Sequence, residues 1–371
     1  MSQQPNGAYA MRTAITFDDV LIVPQYSEVT PDMVSTKTTL VKGIELDIPI
    51  MSAPMDSVTE VEMATAMAEE GGIGILHKNM GHDEQIRQAY EVKKWGHKLG
   101  VALSPTKYTD RMVEELVDAG IDVFVLDSAH GHSKNVMDAT ERLKKLTDIP
   151  VIVGNIATAG AAIELYNAGA DALKVGIGPG SICTTRIVAG VGVPQITAIQ
   201  DVASANGGKL DIPIIADGGI RYSGDIAKAI MAGASCVMLG SLLAGHDEVP
   251  NYQGVIIDGK RYVPYRGMGS EGAMGDGSGD RYSQDGSDKF VPEGIEGCVP
   301  YKGAVADTIY QMVGGLKSAM GYVGAATIED LIKQGESYYH MEGFVGVSPN
   351  SLRENHPHDV HITKEAPNYA I

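Results

Sequence analysis

The sequence has few cysteines and little positive charge, and both scarcities narrow the class of protein. Its three cysteines, Cys183, Cys236 and Cys298, are spread over 371 residues, too few and too scattered for a disulfide framework or a zinc site. We therefore expect a reducing, cytoplasmic compartment. Lysine and arginine number 29 against 47 acidic residues, a net charge of −18. This balance argues against nucleic acid or an anionic membrane as the main partner.

Long hydrophobic runs are also missing. No stretch approaches the roughly 18 apolar residues that a membrane-spanning helix requires. Residues 1–10 are polar and show no apolar signal-peptide core. Apolar residues nevertheless make up 44% of the chain, which is ample for a large buried core. We expect a soluble protein.

Eight short apolar runs recur along the chain, each followed by a loop and a helical pattern. The runs are Ile48–Ser52, Gly74–His77, Gly100–Leu103, Val123–Asp127, Pro150–Gly154, Ala172–Gly176, Pro213–Asp217 and Cys236–Gly240. Segments between them, such as Asp110–Ala119 and Ser223–Ala232, repeat apolar residues every three or four positions. Several end in Ala-Gly, as helix C termini do. Eight such units predict an α/β fold, a (β/α)8 TIM barrel, with its active site in the loops that follow the strands.

The loop Gly176–Arg186 after the sixth run carries the main chemical signal. It contains three glycines, a proline and Cys183 between hydroxyl residues. Glycines let a backbone pass close to a ligand, and Arg186 could help to stabilise the reactive thiolate. A glycine-rich turn with an incidental buried cysteine is the alternative interpretation.

Other chemistry-bearing residues also stand at predicted strand ends. They are Met55, Asp127-Ser128, Asn155, Asp217-Gly218-Gly219 and Gly240-Ser241. The loops after strands seven and eight form the usual phosphate site of this fold. The last two groups therefore predict a phosphate-binding site.

The segment 242–302 is too long for a plain connection between a strand and a helix. It opens with a hairpin pattern at 255–263, in which Asp-Gly supplies the turn. A Gly/Ser/Asp-rich run follows and contains Arg281-Tyr282, then Val291–Gly294. A mobile segment with a positioned arginine is what a closing lid requires, whereas composition alone favours a solvated surface loop. The eighth barrel helix is expected only near Ala304–Met320.

Two histidine-containing clusters superficially suggest metal binding. Glu354–Asp359 contains two histidines, but its central proline disfavours a helical ligand face, and an inter-subunit contact is the preferred interpretation. His130-Gly131-His132 follows a predicted strand without a third ligand nearby in sequence. We interpret it as part of a pocket wall.

Several of these motifs together resemble inosine-5′-monophosphate dehydrogenase. They are Gly176–Arg186, Asp217–Asp225, Tyr265–Ser270, Arg281-Tyr282 and Val291–Gly294. The similarity runs from Thr16–Leu21 to Lys364–Tyr369 and covers nearly the whole chain. Ser283 departs from the family, which often has an aromatic residue there.

The family usually inserts two regulatory CBS modules between strands two and three. Residues from about 80 to 100 leave no room for them, whether the short form is natural or the modules were removed. We expect one catalytic domain, residues 1–371, with a flap at about 242–302 and a C-terminal tail at 340–371.

The resemblance implies oxidation of IMP to XMP with NAD⁺, in guanine nucleotide biosynthesis. Cys183, as thiolate, would attack C2 of the purine, and the hydride would leave for NAD⁺. The covalent thioimidate would then be hydrolysed, which splits one difficult step into two. Arg281 would act as general base beside Tyr282, with Thr185 holding the water. Since an unperturbed arginine is almost always protonated, this role requires a special environment, to which Glu293 can contribute.

The resemblance also implies binding residues. It assigns the nucleotide to Met55, Ser181, Asp217, Gly218, Gly219, Gly240, Ser241, Tyr265, Gly267, Met268, Gly269 and Glu293. It assigns NAD to Asp127, Ser128, Ala129, His130, Asn155, Gly176, Gly178 and, from a neighbouring subunit, Tyr310. It implies a homotetramer in which K⁺ is held by carbonyl oxygens of Gly178, Gly180 and Cys183 and by Glu354, Asn355 and His356 of an adjacent subunit.

Three alternatives stay open at this point. GMP reductase shares the barrel and the cysteine loop, but it releases ammonia, consumes NADPH and resembles this chain least at Arg281-Tyr282. A flavin-dependent barrel oxidoreductase would bind the FMN phosphate at the same two loops. A catalytically silent nucleotide-binding protein would be expected to lack Cys183, Thr185 or Arg281, and all three are present.

Overall fold

The computed structural model describes residues 12–206, 210–287, 289–337 and 344–346. Its centre is an eight-stranded parallel sheet with the strand order β1-β8-β7-β6-β5-β4-β3-β2. The strands are β1 (Ile50–Ser52), β2 (Gly74–Leu76), β3 (Leu99–Leu103), β4 (Val123–Asp127), β5 (Val151–Ile156), β6 (Ala172–Val175), β7 (Ile214–Asp217) and β8 (Cys236–Leu239). A parallel bridge between Met51 and Ile73 joins β1 to β2 and closes the sheet into a barrel. The predicted TIM barrel is confirmed.

Alternation along the strands divides the core into two layers. In β4, Val123 and Val125 belong to the cluster inside the barrel, whereas Phe124 and Leu126 pack against the surrounding helices. This follows from the period of two, by which successive side chains point to opposite faces of a strand. Because both faces are covered, the strands are buried along almost their whole length and appear in the sequence as continuous apolar runs.

A short hairpin that the sequence analysis did not predict closes one end of the barrel. Its strands, Thr38–Val41 and Ile44–Leu46, pair antiparallel. Leu40 and Leu46 join the hydrophobic cluster inside the barrel, and the Thr38 hydroxyl donates to the Ser235 carbonyl at 2.6 Å, just before β8. The hairpin thus keeps water out of the end opposite the loops that follow the strands.

Eight helices pack around the barrel. They are α1 (Val61–Glu69), α2 (His82–Lys93), α3 (Asp110–Asp118), α4 (Lys134–Leu146), α5 (Ala159–Asn167), α6 (Gln195–Asn206), α7 (Ser223–Met231) and α8 (Val305–Val323). Thr109 and Thr158 cap α3 and α5 by accepting a backbone N–H. The predicted Ala-Gly ends are confirmed, since Gly120, Gly169 and Gly233 have φ values of 79°, 99° and 117°. Glycine adopts this left-handed conformation at helix ends without a Cβ clash.

The segment after β8 folds into an antiparallel sheet and two helical turns. Its strands are Val255–Ile257, Lys260–Arg266 and Glu296–Pro300, and the first two form the predicted hairpin around Asp258-Gly259. Glu271–Gly275 is a helical turn and Ser278–Tyr282 a 3₁₀ turn. The sequence analysis predicted neither the helical turns within the Gly/Ser/Asp-rich run nor the third strand.

The remaining elements frame the barrel. They are the 3₁₀ turns Phe17–Asp19 and Pro31–Met33, the strand Val20–Ile22 with its antiparallel partner Phe344–Gly346, and the helices Thr185–Val188 and Ile328–Ser337. Between β2 and β3 the chain forms α2 and no additional domain. None of the helices in the described ranges is long and apolar enough to span a membrane.

Candidate active site

The cysteine loop begins where β6 ends, close to the end of β7. Gly176 has a φ of 152°, and a Cβ there would lie 2.1 Å from the Asp217 carbonyl oxygen, so only glycine allows this approach. The buried Gln195 amide donates to the carbonyls of Val175 at 2.8 Å and Asp217 at 3.1 Å. The buried Gln195 side chain and its two hydrogen bonds hold the loops after β6 and β7 side by side.

Cys183 is the one cysteine in the described residues that lines the cavity at this end of the barrel. Its N–H donates to the Gly180 carbonyl at 3.1 Å, and its thiol lies 3.2 Å from the Thr185 hydroxyl oxygen. Cys236 lies inside the barrel, where burial raises the pKa of its thiol. Reactive cysteines combine partial exposure with polar neighbours. The geometry therefore disfavours an incidental buried Cys183.

Arg186 lies near Cys183, but its hydrogen bonds go elsewhere. Its guanidinium donates to the carbonyls of Ile177 at 3.2 Å and Val193 at 2.6 Å. Burial lowers the pKa of Arg186, and the charge of Cys183 acts in the opposite direction. Arg186 can therefore stabilise the Cys183 thiolate only through the electrostatic field of its positive charge. Its hydrogen bonds hold the loop in place.

The cavity between the strand-end loops gathers residues that were singled out from separate motifs. The atom-free space between these loops is about 990 Å³, open mouth included. All twelve residues expected to bind the nucleotide line it, together with Cys183, Thr185, Arg281 and Tyr282. Of the expected NAD residues, Asp127, Ala129, Asn155, Gly176 and Gly178 line the same cavity, whereas Ser128 and His130 line an adjoining one.

One end of the cavity is formed by the glycines after β7 and β8. Gly218 and Gly219 have φ values of 89° and 83°, and a Cβ at Gly219 would lie 3.3 Å from the ring of the buried Phe17. The Tyr265 hydroxyl also reaches this end, since a Cβ on Gly240 would lie 3.1 Å from its oxygen. Burial raises the pKa of Tyr265, so the phenol keeps its proton and can donate a hydrogen bond.

Lys174 is a buried cation at the centre of the site that the sequence analysis missed. Its side chain is 1% exposed, and its Nζ lies 2.6 Å from Asp217 Oδ2 and 3.0 Å from Asp127 Oδ1. It also contacts the Asn155 side-chain oxygen, while the Asn155 amide donates to Asp217 at 2.8 Å. The lysine thus holds two carboxylates from different strands at the cavity wall. The sequence signal that would have revealed it is a charged residue inside the apolar run 172–175.

The flap closes over the cavity and places Arg281 against Asp127. The two side chains form an ion pair, and the Ala129 N–H donates to the Arg281 carbonyl at 3.1 Å. Tyr282 follows, with a pKa raised mainly by burial. Its ring covers Gly269 so closely that a Cβ on Gly269 would lie 2.6 Å from it.

The end of the flap pairs with the cysteine loop. Thr184 N–H donates to the Glu293 carbonyl at 2.8 Å, and Glu293 N–H donates to the Gly269 carbonyl at 2.9 Å. Cys183 and Gly294 form an antiparallel bridge. The backbone of Cys183 is thus held by hydrogen bonds on both sides, which fixes the point from which its thiol enters the cavity.

A second buried pair anchors the flap to the barrel, and sequence reasoning missed it too. Lys78, from the loop after β2, forms an ion pair with Asp280, and their side chains are 9% and 3% exposed. Burial lowers the pKa of Lys78 to about 8. The Ser278 hydroxyl donates to the Met268 carbonyl at 2.5 Å, and Ala273 and Met274 are buried. These contacts favour the lid interpretation of this run over the alternative of a solvated surface loop.

Some expected site residues lie away from the cavity or outside the described residues. Tyr310 is on α8, 75% exposed, and lines neither cavity of its own chain. His132 pairs with Glu164 at 3.0 Å, while His130 forms part of a pocket wall as expected. Glu354, Asn355 and His356 fall outside the described residues. Within those residues, no three His, Cys, Asp or Glu side chains form a group that could hold a metal.

The fold and the site define a class, the (β/α)8 barrel enzymes with a partly exposed cysteine in a cavity at the loops that follow the strands. Similarity to known proteins identifies the family. Residues 14–358 match the family described as the IMP dehydrogenase / GMP reductase domain, and the chain belongs to that family.

Several relatives are similar over almost their whole length. The inosine-5′-monophosphate dehydrogenase of Cryptosporidium parvum is 48% identical, with 96% of this chain and 98% of that protein covered. The enzyme of the same name from Borreliella burgdorferi is 46% identical, with 94% and 98% covered. The one from Aquifex aeolicus is 41% identical, with 97% and 98% covered.

Proposed function

We propose that this protein is an IMP dehydrogenase that oxidises IMP to XMP with NAD⁺. The observation that carries the proposal is the position of Cys183, whose thiol faces one cavity together with the phosphate-type glycine loops and Arg281-Tyr282 of the flap. The relatives at 41–48% identity bear the name of this enzyme.

The nucleotide would lie with its phosphate at Gly219, Gly240 and Ser241 and with its purine against Met55 and Cys183. Backbone N–H groups and the protonated Tyr265 hydroxyl are suitable donors for phosphate oxygens. Asp217 would accept hydrogen bonds from the ribose hydroxyls. Lys174 supports this role, because it holds the Asp217 carboxylate in place at 2.6 Å.

In the first step, the Cys183 thiolate attacks C2 of the purine and forms a covalent adduct. Thr185, 3.2 Å from the thiol, is placed to orient it. NAD⁺ would accept the hydride that leaves C2 of the purine, which converts the adduct into a thioimidate. The resulting thioimidate is then hydrolysed, and the product XMP leaves Cys183 free.

The position of Asp127 supports a cycle in which the dinucleotide and the flap occupy the same site in turn. A carboxylate can accept two hydroxyl hydrogen bonds from a ribose, so Asp127 fits the nicotinamide ribose. In the closed flap the same carboxylate is paired with Arg281. Arg281 must therefore leave before the dinucleotide binds, and its return would carry Arg281 and Tyr282 to the adduct for hydrolysis.

We also propose the K⁺ site and the tetramer that the family resemblance implied. Main-chain carbonyls suit a hard cation, and the chain turns sharply at Gly178, where φ is 79°. The Gly180 carbonyl accepts one hydrogen bond, from Cys183 N–H, and keeps a second lone pair for a cation. The exposed Tyr310 is available for the neighbouring subunit's dinucleotide site.

Mass spectrometry after incubation with IMP and NAD⁺ tests the proposed chemistry. The wild type should show an adduct on Cys183 and produce NADH, whereas Cys183→Ala should show neither. Arg281→Ala should release NADH in a first burst and accumulate the adduct, because only hydrolysis is impaired. Equal loss of both steps in Arg281→Ala would count against its role as base.

GMP reductase is the second candidate, since the family description includes it. The cofactor absorbance in the near ultraviolet separates the two activities. IMP with NAD⁺ should generate NADH and raise this absorbance, while GMP with NADPH should show no fall in the NADPH absorbance. The reverse result would assign the reductase activity.

A further inference from the structure

Lys302 is a partly buried lysine to which the steps above assign no role. It follows the last strand of the flap sheet, Glu296–Pro300. Its Nζ donates to the carbonyls of Ser241 at 3.1 Å and Leu242 at 2.9 Å. These carbonyls belong to the turn after β8, where Ser241 also lines the cavity. The ammonium therefore lies directly behind the loop proposed to hold the nucleotide phosphate.

No counter-charge for this ammonium lies in the part of the chain that the structure describes. Among the described residues, no carboxylate oxygen lies within 4.0 Å of Lys302 Nζ. Burial lowers the pKa of Lys302 to about 7. A cation that is largely withdrawn from water and bound only to neutral carbonyls is destabilised unless an anion compensates it.

The ionisable groups around this turn do not supply that anion. His246 is buried, and burial together with the charge of Lys302 lowers its pKa to about 4, so that it is neutral at pH 7. Asp247 lies 3.6 Å from Arg261, and Glu248 accepts the N–H of Val305 at 3.0 Å. Both carboxylates are thus engaged with other groups.

We propose, on the basis of the nucleotide site proposed above, that Lys302 is a positioning residue for the substrate phosphate. Its ammonium holds the turn 240–242 in the phosphate-binding conformation, and the bound phosphate supplies the missing counter-charge. At a pH where the Lys302 amine is mostly neutral, nucleotide binding is therefore accompanied by proton uptake from solvent onto this amine.

The proton uptake has a definite sign and size. With a pKa of about 7, Lys302 is mostly neutral at pH 8 in the free protein, and a nearby dianion favours its charged form. Binding should then take up as much as about 0.9 proton per nucleotide. The second pKa of a phosphate ester is about 6, so the phosphate of IMP is already ionised at pH 8 and contributes little.

Isothermal titration calorimetry with IMP alone, at pH 8 in two buffers of different ionisation enthalpy, measures this uptake. The Cys183→Ala background removes the thiol from the proton balance. Lys302→Arg keeps the cation at every pH and should bind IMP without proton uptake. Lys302→Met should lose the uptake and weaken IMP binding about ten- to a hundredfold, whereas inosine, which lacks the phosphate, should bind as before. Circular dichroism checks that both variants are folded.

Unchanged proton uptake in Lys302→Arg, or unchanged IMP affinity in Lys302→Met, would overturn the role of Lys302. Tyr265→Phe tests the underlying phosphate site separately, since it removes a hydroxyl from the cavity and leaves Lys302 in place. If Tyr265→Phe weakens IMP relative to inosine while Lys302→Met does not, only the inference about Lys302 fails. If neither does, the placement of the phosphate fails with it.

Discussion

At the scale of single residues, the site depends on charges that the barrel wall buries and pairs. Lys174 lies between Asp127 and Asp217, and all three side chains are at most 19% exposed. Breaking a buried ion pair leaves an uncompensated charge, which costs far more than losing a surface pair. Lys174 therefore supports both the fold and the position of the two carboxylates.

Lys174→Met should lower the free energy of unfolding by about 3–5 kcal/mol, because Asp217 loses its cation and the buried Asp127 keeps only Arg281 of the flap. Urea denaturation measures the effect. Lys134→Met is the matched control, since Lys134 and Asp138 are 81% and 60% exposed and such pairs contribute at most about 0.5 kcal/mol. Equal losses in the two variants would contradict the structural role of Lys174.

At the scale of elements, the flap is an ordered unit attached to the barrel by two kinds of ion pair. Lys78–Asp280 is buried next to Arg281, whereas Lys107 and Asp285 lie 2.9 Å apart and are 43% and 58% exposed. Only the buried pair has a large effect when one partner is removed. The closed position of Arg281 should therefore depend on Lys78.

Lys78→Met should slow thioimidate hydrolysis at least about tenfold while the first burst of NADH persists, because an unpaired buried Asp280 disfavours the closed flap. Stopped-flow absorbance separates the burst from the steady-state rate. Lys107→Met removes the barrel-side partner of the exposed pair with Asp285 of the flap and should change either rate by no more than about twofold. A lost burst in Lys78→Met, or similar slowing in both variants, would refute this assignment.

At the scale of the whole molecule, His246 joins the barrel to the segment that leads back from the flap. Its ring nitrogens lie 3.0 Å from the Gly303 carbonyl oxygen and 3.2 Å from that of Leu242. The side chain is fully buried, and burial lowers its pKa from 6.5 to about 4. The folded protein therefore resists protonation of His246 at a pH where the unfolded chain accepts the proton.

Stability should fall as the pH is lowered from about 6.5 to about 4. In that range the unfolded chain binds the proton and the folded chain does not, so acid favours unfolding. One pKa unit corresponds to about 1.4 kcal/mol, so the contribution of His246 amounts to about 3 kcal/mol. Urea midpoints between pH 7 and pH 4.5 should drop less in His246→Gln than in the wild type. Parallel pH profiles would show that His246 does not titrate in this way.

The sequence by itself determined the architecture and the chemistry of the central loop. Strand and helix periodicities are local, and they are sufficient to predict all eight strands and a barrel because each unit repeats the same pattern. The glycines and Cys183 of the loop after β6 are also a local signal. The prediction of this loop as the reactive centre rests on residue types within one continuous stretch of sequence.

Only the tertiary structure decided how distant charges pair and which loops are packed. Lys174 and Asp217 are 43 positions apart, and Lys78 and Asp280 are 202 apart. No local pattern reports such partners, because they meet only after the barrel closes. The polar run 271–287 has the composition of a mobile loop, yet buried contacts order it. Composition describes what a segment prefers in water, whereas its final state depends on the surface against which it packs.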